Sequence, residues 1–179
     1  MRIFDRQTVL KALTRLGELA VEEGFQLECC IYGGALMMLA YDARASTQDV
    51  DAVIRPREPA LRLAEKVAVE QGLPEGWLND QVRTFLAPHE QTRTLPLDLP
   101  GIFVTSPTAG YLLAMKALAC RNRLPGFEGD LDDLRFLIRK LEIRDVETVQ
   151  HHIDRYYPDD VIPEPNRETL RLLIQEVWS

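Results

Sequence analysis

The sequence predicts an α+β fold, with a small mixed β-sheet flanked by helices and then a helical C-terminal part. Two stretches, FQLECCIY and DVDAVI, alternate apolar and polar residues as half-buried strands do. Apolar residues at helical spacing lie between these strands, and from residue 130 onward the pattern is entirely helical. We therefore expect an α/β core over residues 1–104 and a helical region packed on it over residues 105–179.

The N-terminal half supplies the elements of the expected core. Residues 5–23 predict a helix that starts after Asp5 and ends before Gly24. The strand FQLECCIY then leads to a Gly33-Gly34 turn, and ALMMLAY begins a short helix. A polar loop, DARASTQ, precedes the strand DVDAVI, and PALRLAEKVAVEQG predicts a second amphipathic helix closed by its final glycine. This order alternates helices with the two strands of the sheet.

After residue 72 the sequence shows a less regular pattern, and further along it predicts helices. LPEGWLNDQVRTFLAP predicts a turn followed by a strand or a short helix, and TRTLPLDLPGIFVTSP predicts two short extended pieces. Thr105 or Ser106 is expected to cap the apolar helix TAGYLLAMKALACR. Three further helices are predicted in DLDDLRFLIRKL, DVETVQHHIDRYY and NRETLRLLIQEVW, with Asp130, Asp145 and Asn166 as their caps.

Net charge and the lengths of the apolar runs exclude some classes of function. The chain has 179 residues, a net charge of −7 and a pI near 5.0, which argues against a broad surface that coats nucleic acid. A small basic pocket for one phosphorylated ligand remains compatible with that charge. The sequence has no apolar run of membrane-spanning length and no secretory signal pattern, so a cytoplasmic location and no membrane partner are expected.

Asp49 and Asp51 form the most informative pattern in the sequence. Residues two apart on a strand share a face and stand about 6.6 Å apart along the chain. Two carboxylates held this close repel each other and raise each other's pKa, which is unfavourable unless a cation offsets the charge. Mg²⁺ suits such a pair because it binds one or two carboxylates together with waters and substrate phosphates. The pair therefore indicates a metal site.

Gly33 and Gly34 extend this interpretation. A strand that ends in two glycines and opens a helix brings backbone N–H groups close to a ligand, and the helix dipole favours phosphate. A lone Gly-Gly turn, or a lone Asp-x-Asp at a strand end, is more often structural. The two together, in the order strand, glycines, helix, strand with carboxylates, favour a functional site.

The stretch YGGALMMLAYDARASTQDVDAVI resembles the nucleotidyltransferase superfamily, which has the DNA polymerase β-like fold. It is most similar to the bacterial branch that includes AbiEii-type toxins, and the resemblance covers roughly residues 28–141. It implies that Asp49 and Asp51 bind Mg²⁺ or Mn²⁺ and act in catalysis. It also implies that a nucleoside triphosphate is held by a set of residues comprising Gly33, Gly34, Arg44, Thr47 and Lys116.

Several residues have both a functional and a structural interpretation. Lys116 is the only charged residue in YLLAMKALAC, and it either contacts a triphosphate or extends to solvent. Arg121 and Arg123 could assist it or favour the helix C-terminus. Active members of the superfamily usually have a third carboxylate on a neighbouring strand. Asp98 is the first candidate for this catalytic role, and Asp80 is the second.

The resemblance implies transfer of a nucleoside monophosphate from a nucleoside triphosphate to RNA, a protein or a small molecule. It also implies that Asp130 or Asp133 pairs with Lys116 or lines the cleft. A catalytically degenerate member that binds a nucleotide or a partner is the alternative. A third possibility is a toxin–antitoxin-like pair, in which the helical C-terminal part docks an antitoxin-like protein.

Overall fold

The computed structural model describes residues 3–120 and 128–179, which form an α+β fold as expected. The strands are β1 (Phe4–Asp5), β2 (Leu27–Ile31), β3 (Ser46–Thr47), β4 (Val50–Arg55), β5 (Leu78–Asn79), β6 (Thr92–Thr94) and β7 (Ile102–Pro107). The helices are α1 (Arg6–Glu22), α2 (Gly33–Tyr41), α3 (Arg57–Gln71), α4 (Ala109–Ala119), α5 (Glu128–Lys140), α6 (Val146–Tyr156) and α7 (Glu164–Trp178). A 3₁₀ helix covers Gln81–Phe85.

The chain divides into two compact units. The first contains the residues up to Thr84 together with Thr92–Ser106, and the second contains Phe85–Gln91 and Pro107–Ser179. The change at Ser106 lies close to the expected boundary at residue 105. The sequence does not predict the return of Phe85–Gln91 to the helical unit, because the segment FLAPHEQ shows neither helical nor strand periodicity.

The first unit is built on a mixed five-stranded sheet in the order β5-β4-β2-β7-β6. Strands β2 and β4 are antiparallel, with Ile31 opposite Ala52, whereas β7 runs parallel to β2 and β5 runs parallel to β4. A separate two-stranded pair, β1 with β3, places Phe4 opposite Thr47. The loop that precedes β4 is therefore tied to the N-terminus of the chain.

Strand β4 confirms the predicted alternation. Val50, Ala52 and Ile54 are buried in the core, while Asp51 and Val53 on the other face are only half-buried. Since the apolar face fixes the register of the strand, it also fixes the face on which the carboxylates stand. Asp49 lies one residue before β4, and the same alternation places it on the face of Asp51.

Two helix starts differ from the predictions in the region between residues 100 and 130. Strand β7 extends through Pro107, so α4 begins later and its N-cap is Thr108 rather than Thr105 or Ser106. Helix α5 already begins at Glu128, which places Asp130 inside the helix rather than at its cap. In the first case the preceding strand is longer than its local pattern indicates, and in the second the helix itself is longer.

The prediction that Asn166 caps the last helix is wrong. Helix α7 begins at Glu164, after Pro163, and the Asn166 side chain is buried. Its amide donates hydrogen bonds to the carbonyl oxygens of Ala117 and Leu118, each at 3.0 Å. Asn166 therefore satisfies the open C-terminal carbonyls of α4 instead of the N–H groups of its own helix.

Tyrosine hydroxyls hold the segment Phe85–Gln91 within the helical unit. The Tyr157 hydroxyl donates to the carbonyl oxygen of Phe85 at 2.7 Å, and the backbone N–H of Ala87 donates to the Tyr111 hydroxyl at 2.9 Å. The Tyr156 hydroxyl donates to the Gln91 side-chain oxygen at 3.0 Å.

Among the described residues, no helix is both long enough and apolar enough to cross a bilayer.

Candidate functional site

The site begins where β2 ends and α2 starts. Gly33, the first residue of α2, has a φ of +60°, a conformation that residues with a side chain rarely adopt. A Cβ built on Gly33 would lie 2.7 Å from Oδ2 of Asp51. The predicted turn is thus the first turn of a helix, and the antiparallel pairing of β2 with β4 brings the Asp51 carboxylate directly against it.

Arg44 and Thr47 lie beside the next residue, Gly34. A Cβ on Gly34 would be 2.7 Å from Nη1 of Arg44 and 2.9 Å from Oγ1 of Thr47. The Thr47 hydroxyl also donates a hydrogen bond to the backbone carbonyl of Asp49 at 3.0 Å. A guanidinium and a hydroxyl therefore stand at the N-terminal turn of α2, and the hydroxyl restrains the backbone that leads into β4.

The Asp49 side chain is half-buried and contacts the edge strand β5. The Asn79 amide nitrogen donates a hydrogen bond to Oδ2 of Asp49 at 3.2 Å. Burial raises the pKa of Asp49, and the hydrogen bond from Asn79 opposes part of that rise. Asn79 was not identified from the sequence, because its position opposite Asp51 depends on the parallel pairing of β5 with β4.

The structure does not bring Asp98 to this group. Asp98 is exposed in the connection between β6 and β7, three residues before Gly101, whose carbonyl oxygen accepts from the N–H of Leu27 at the start of β2. The backbone of Asp51 pairs with the other end of β2, where the N–H of Tyr32 donates to the Asp51 carbonyl oxygen. Because β2 rises by about 13 Å between these ends, Asp98 and Asp51 lie near opposite ends of β2.

Asp80, the second candidate for a third carboxylate, is engaged elsewhere. The Arg57 guanidinium contacts both of its oxygens, at 2.5 and 3.3 Å. This pairing is the leading cause of a lowered pKa for Asp80. Asp80 follows Asn79 directly, so alternation along the extended chain directs the two side chains to opposite faces.

Lys116 belongs to the helical unit and is paired there with carboxylates of α5. Its ammonium lies 2.6 Å from Oδ2 of Asp133 and 3.3 Å from Oδ1 of Asp130. Asp133 is only 1% exposed, whereas the Lys116 side chain retains 12% of its exposure. The pairing implied by the family resemblance is therefore present. Arg121 and Arg123 lie outside the described residues.

The residues at the start of α2 suit a hard divalent cation. The donor set consists of two carboxylates, Asp49 and Asp51, on one face of β4. Within residues 3–120 and 128–179, no cluster of three or more His, Cys, Asp or Glu side chains could enclose a metal by itself. Mg²⁺ does not need such a cluster, because it usually keeps several waters and shares the substrate's phosphates. The donor set thus fits Mg²⁺ bound jointly with a polyphosphate.

A scan of the sequence against protein-family models found no match, and neither curated proteins nor solved structures gave a match. The assignment of an activity therefore depends on the geometry around Gly33.

Proposed function

We propose that this chain is a nucleotidyltransferase that moves a nucleoside monophosphate from a nucleoside triphosphate to an acceptor, with Mg²⁺ or Mn²⁺ held by Asp49 and Asp51. One observation carries the proposal: the Asp51 carboxylate lies against Gly33 at the N-terminus of α2, on the same face as Asp49. The helix start that would bind phosphate and the carboxylates that would bind the metal are therefore neighbours.

Each part of the chain would have a separate task. The open N–H groups and the dipole of α2 favour a polyphosphate at Gly33 and Gly34. The Arg44 guanidinium beside Gly34 adds positive charge and can form two parallel hydrogen bonds to phosphate oxygens. Bound metal would supply Lewis acidity, which activates the acceptor hydroxyl and stabilises the leaving pyrophosphate. The protein contributes mainly positioning and charge neutralisation.

A second candidate function is nucleotide binding without transfer. It is favoured by the side chain next to Asp49, which is the neutral amide of Asn79 rather than a third carboxylate. Asp98 lies at the opposite end of β2, and Asp80 is paired with Arg57. A member without a base for the acceptor hydroxyl would sense a nucleotide or regulate an antitoxin-like partner.

Transfer of label from a nucleoside triphosphate tests the first proposal. The protein is incubated with each α-³²P-labelled nucleoside triphosphate, Mg²⁺ or Mn²⁺, and in separate reactions total RNA, protein extract or a metabolite extract. The variants Asp49→Asn and Asp51→Asn each remove one negative charge at nearly constant shape. Asp159→Asn makes the same chemical change at an exposed position of the helical unit and serves as the control.

The outcomes separate the two candidates. Transfer that is lost in both site variants and kept in the control supports the enzyme, and the labelled fraction identifies the acceptor class. Thermal stabilisation by metal and nucleotide without transfer supports the binding protein. The absence of both signals for all four nucleotides would contradict both candidates.

A further inference from the structure

We propose that Asn79 is a positioning residue that orients the Asp49 carboxylate for the metal. This proposal depends on the proposed function, because it assigns Asp49 to metal binding. Its basis is a chain of two hydrogen bonds that ends at Asp49 and starts from the backbone of the 3₁₀ helix. The bond from Gln81 is a local turn contact of the kind that asparagine often makes, whereas the bond to Asp49 joins residues 30 apart in the sequence.

The first hydrogen bond orients the amide. The backbone N–H of Gln81 donates to Oδ1 of Asn79 at 3.1 Å. A backbone N–H requires an acceptor, so the oxygen of the Asn79 amide must face Gln81. The NH₂ group then faces the other way, which is the side of Asp49.

The second hydrogen bond uses that orientation. Nδ2 of Asn79 donates to Oδ2 of Asp49 at 3.2 Å, and this contact depends on the parallel pairing of β5 with β4, which Asp49 directly precedes. The Asp49 backbone is restrained independently, because the Thr47 hydroxyl donates to its carbonyl oxygen. Both ends of this residue are therefore held. The amide occupies one lone-pair direction of Oδ2 and leaves Oδ1 for a cation.

A neutral hydrogen-bond donor at position 79 has an effect that a carboxylate there could not have. Asn79 stabilises Asp49 without adding negative charge to a site that already holds Asp51. Outer hydrogen-bond partners of metal ligands fix the ligand's orientation, and their removal typically weakens metal binding by about 10- to 100-fold. We therefore expect the contribution of Asn79 to show in metal affinity more than in stability.

Three variants and one metal test the proposal. Mn²⁺ alone is titrated into the full chain, and free Mn²⁺ is followed by electron paramagnetic resonance. Asn79→Leu removes the donor at similar volume, and Asn79→Gln keeps an amide that is one methylene longer. Asn166→Ala is the matched control, since it removes two amide hydrogen bonds from the helical unit. Urea unfolding of each variant reports its stability separately.

We expect Asn79→Leu to raise the Kd for Mn²⁺ by about tenfold or more and Asn79→Gln to recover part of that loss. Asn166→Ala should lower stability and leave the Kd unchanged. Unchanged Mn²⁺ affinity in Asn79→Leu, or an equal loss in Asn166→Ala, overturns the positioning role. If the wild-type chain binds Mn²⁺ neither alone nor as its complex with any of the four nucleoside triphosphates, the metal-dependent function fails. In that case a crystal structure of Asn79→Leu tests whether Asn79 orients Asp49. A displaced Asp49 carboxylate supports the positioning role, and an unmoved carboxylate overturns it.

Discussion

Substitution of Gly33 by alanine tests the central contact of the site. Gly33 combines a φ of +60° with the closest approach of the Asp51 carboxylate. An alanine there must adopt a left-handed conformation, and its Cβ would lie 2.7 Å from Oδ2 of Asp51. The variant therefore combines backbone strain with a steric conflict at a proposed metal ligand.

The two effects have different expected sizes. Left-handed backbone costs a residue with a Cβ about 1–2 kcal/mol of stability. The steric conflict adds less to this value, because the atom in the way ends a side chain that can rotate. That rotation is what damages the site, since it moves the Asp51 carboxylate away from the start of α2. We expect the Kd for Mn²⁺ to rise at least about tenfold, by analogy with the loss of ligand orientation elsewhere.

Gly24→Ala separates the two effects. Gly24 has a φ of +84°, and a Cβ there would meet nothing within 4 Å. Urea unfolding should give a similar loss of stability for Gly24→Ala and Gly33→Ala, whereas the Mn²⁺ titration should give a loss of affinity for Gly33→Ala alone. Wild-type Mn²⁺ affinity in Gly33→Ala would refute the reasoning, because a displaced Asp51 would then have no consequence for the metal.

Three further predictions concern the helical unit, and all are measured by urea unfolding. Lys116→Met should destabilise it by about 3–5 kcal/mol, because it removes the ammonium 2.6 Å from the buried Asp133 carboxylate; a loss below about 1 kcal/mol would contradict this. Asn166→Ala should cost about 1–3 kcal/mol, since two carbonyl oxygens of α4 lose their donor, and no change would mean that water replaces the amide. Burial, followed by the charge of nearby Arg155, lowers the pKa of His152 below 6.5, so the unfolded chain binds its proton more readily. The stabilisation from neutral His152 is therefore complete above pH 6.5 and is lost as the pH falls toward the folded pKa; His152→Gln should flatten this dependence, and an unchanged slope would assign it to other groups.

Features that depend on local pattern were predictable from the sequence. The alternation in DVDAVI fixed the buried face of β4 and therefore the face of Asp49 and Asp51. Asp5 and Asp145 cap their helices as expected, because each accepts a hydrogen bond from the N–H three residues later. These are short-range effects, and the sequence of a few residues contains all that determines them.

Features that depend on pairing between distant segments were not predictable. Asn166 has the residue type of a cap, yet its amide is used by α4, 48 and 49 residues away along the sequence. Asn79 reaches Asp49 only because β5 adds to the sheet edge beside β4. Asp98 was a candidate because it lies in an extended segment, but extension alone does not reveal which end of the sheet a residue occupies.

The return of Phe85–Gln91 to the helical unit limits how the chain can be dissected. A fragment that starts at residue 107 would lack the acceptors that Tyr157 and Tyr156 use, namely the Phe85 carbonyl and the Gln91 side chain. It would also lose the Ala87 N–H that binds the Tyr111 hydroxyl. Expression of the helical unit by itself therefore requires a rearranged gene, in which a linker joins residues 85–91 to residues 107–179. Cutting the chain at one position would not give the complete unit.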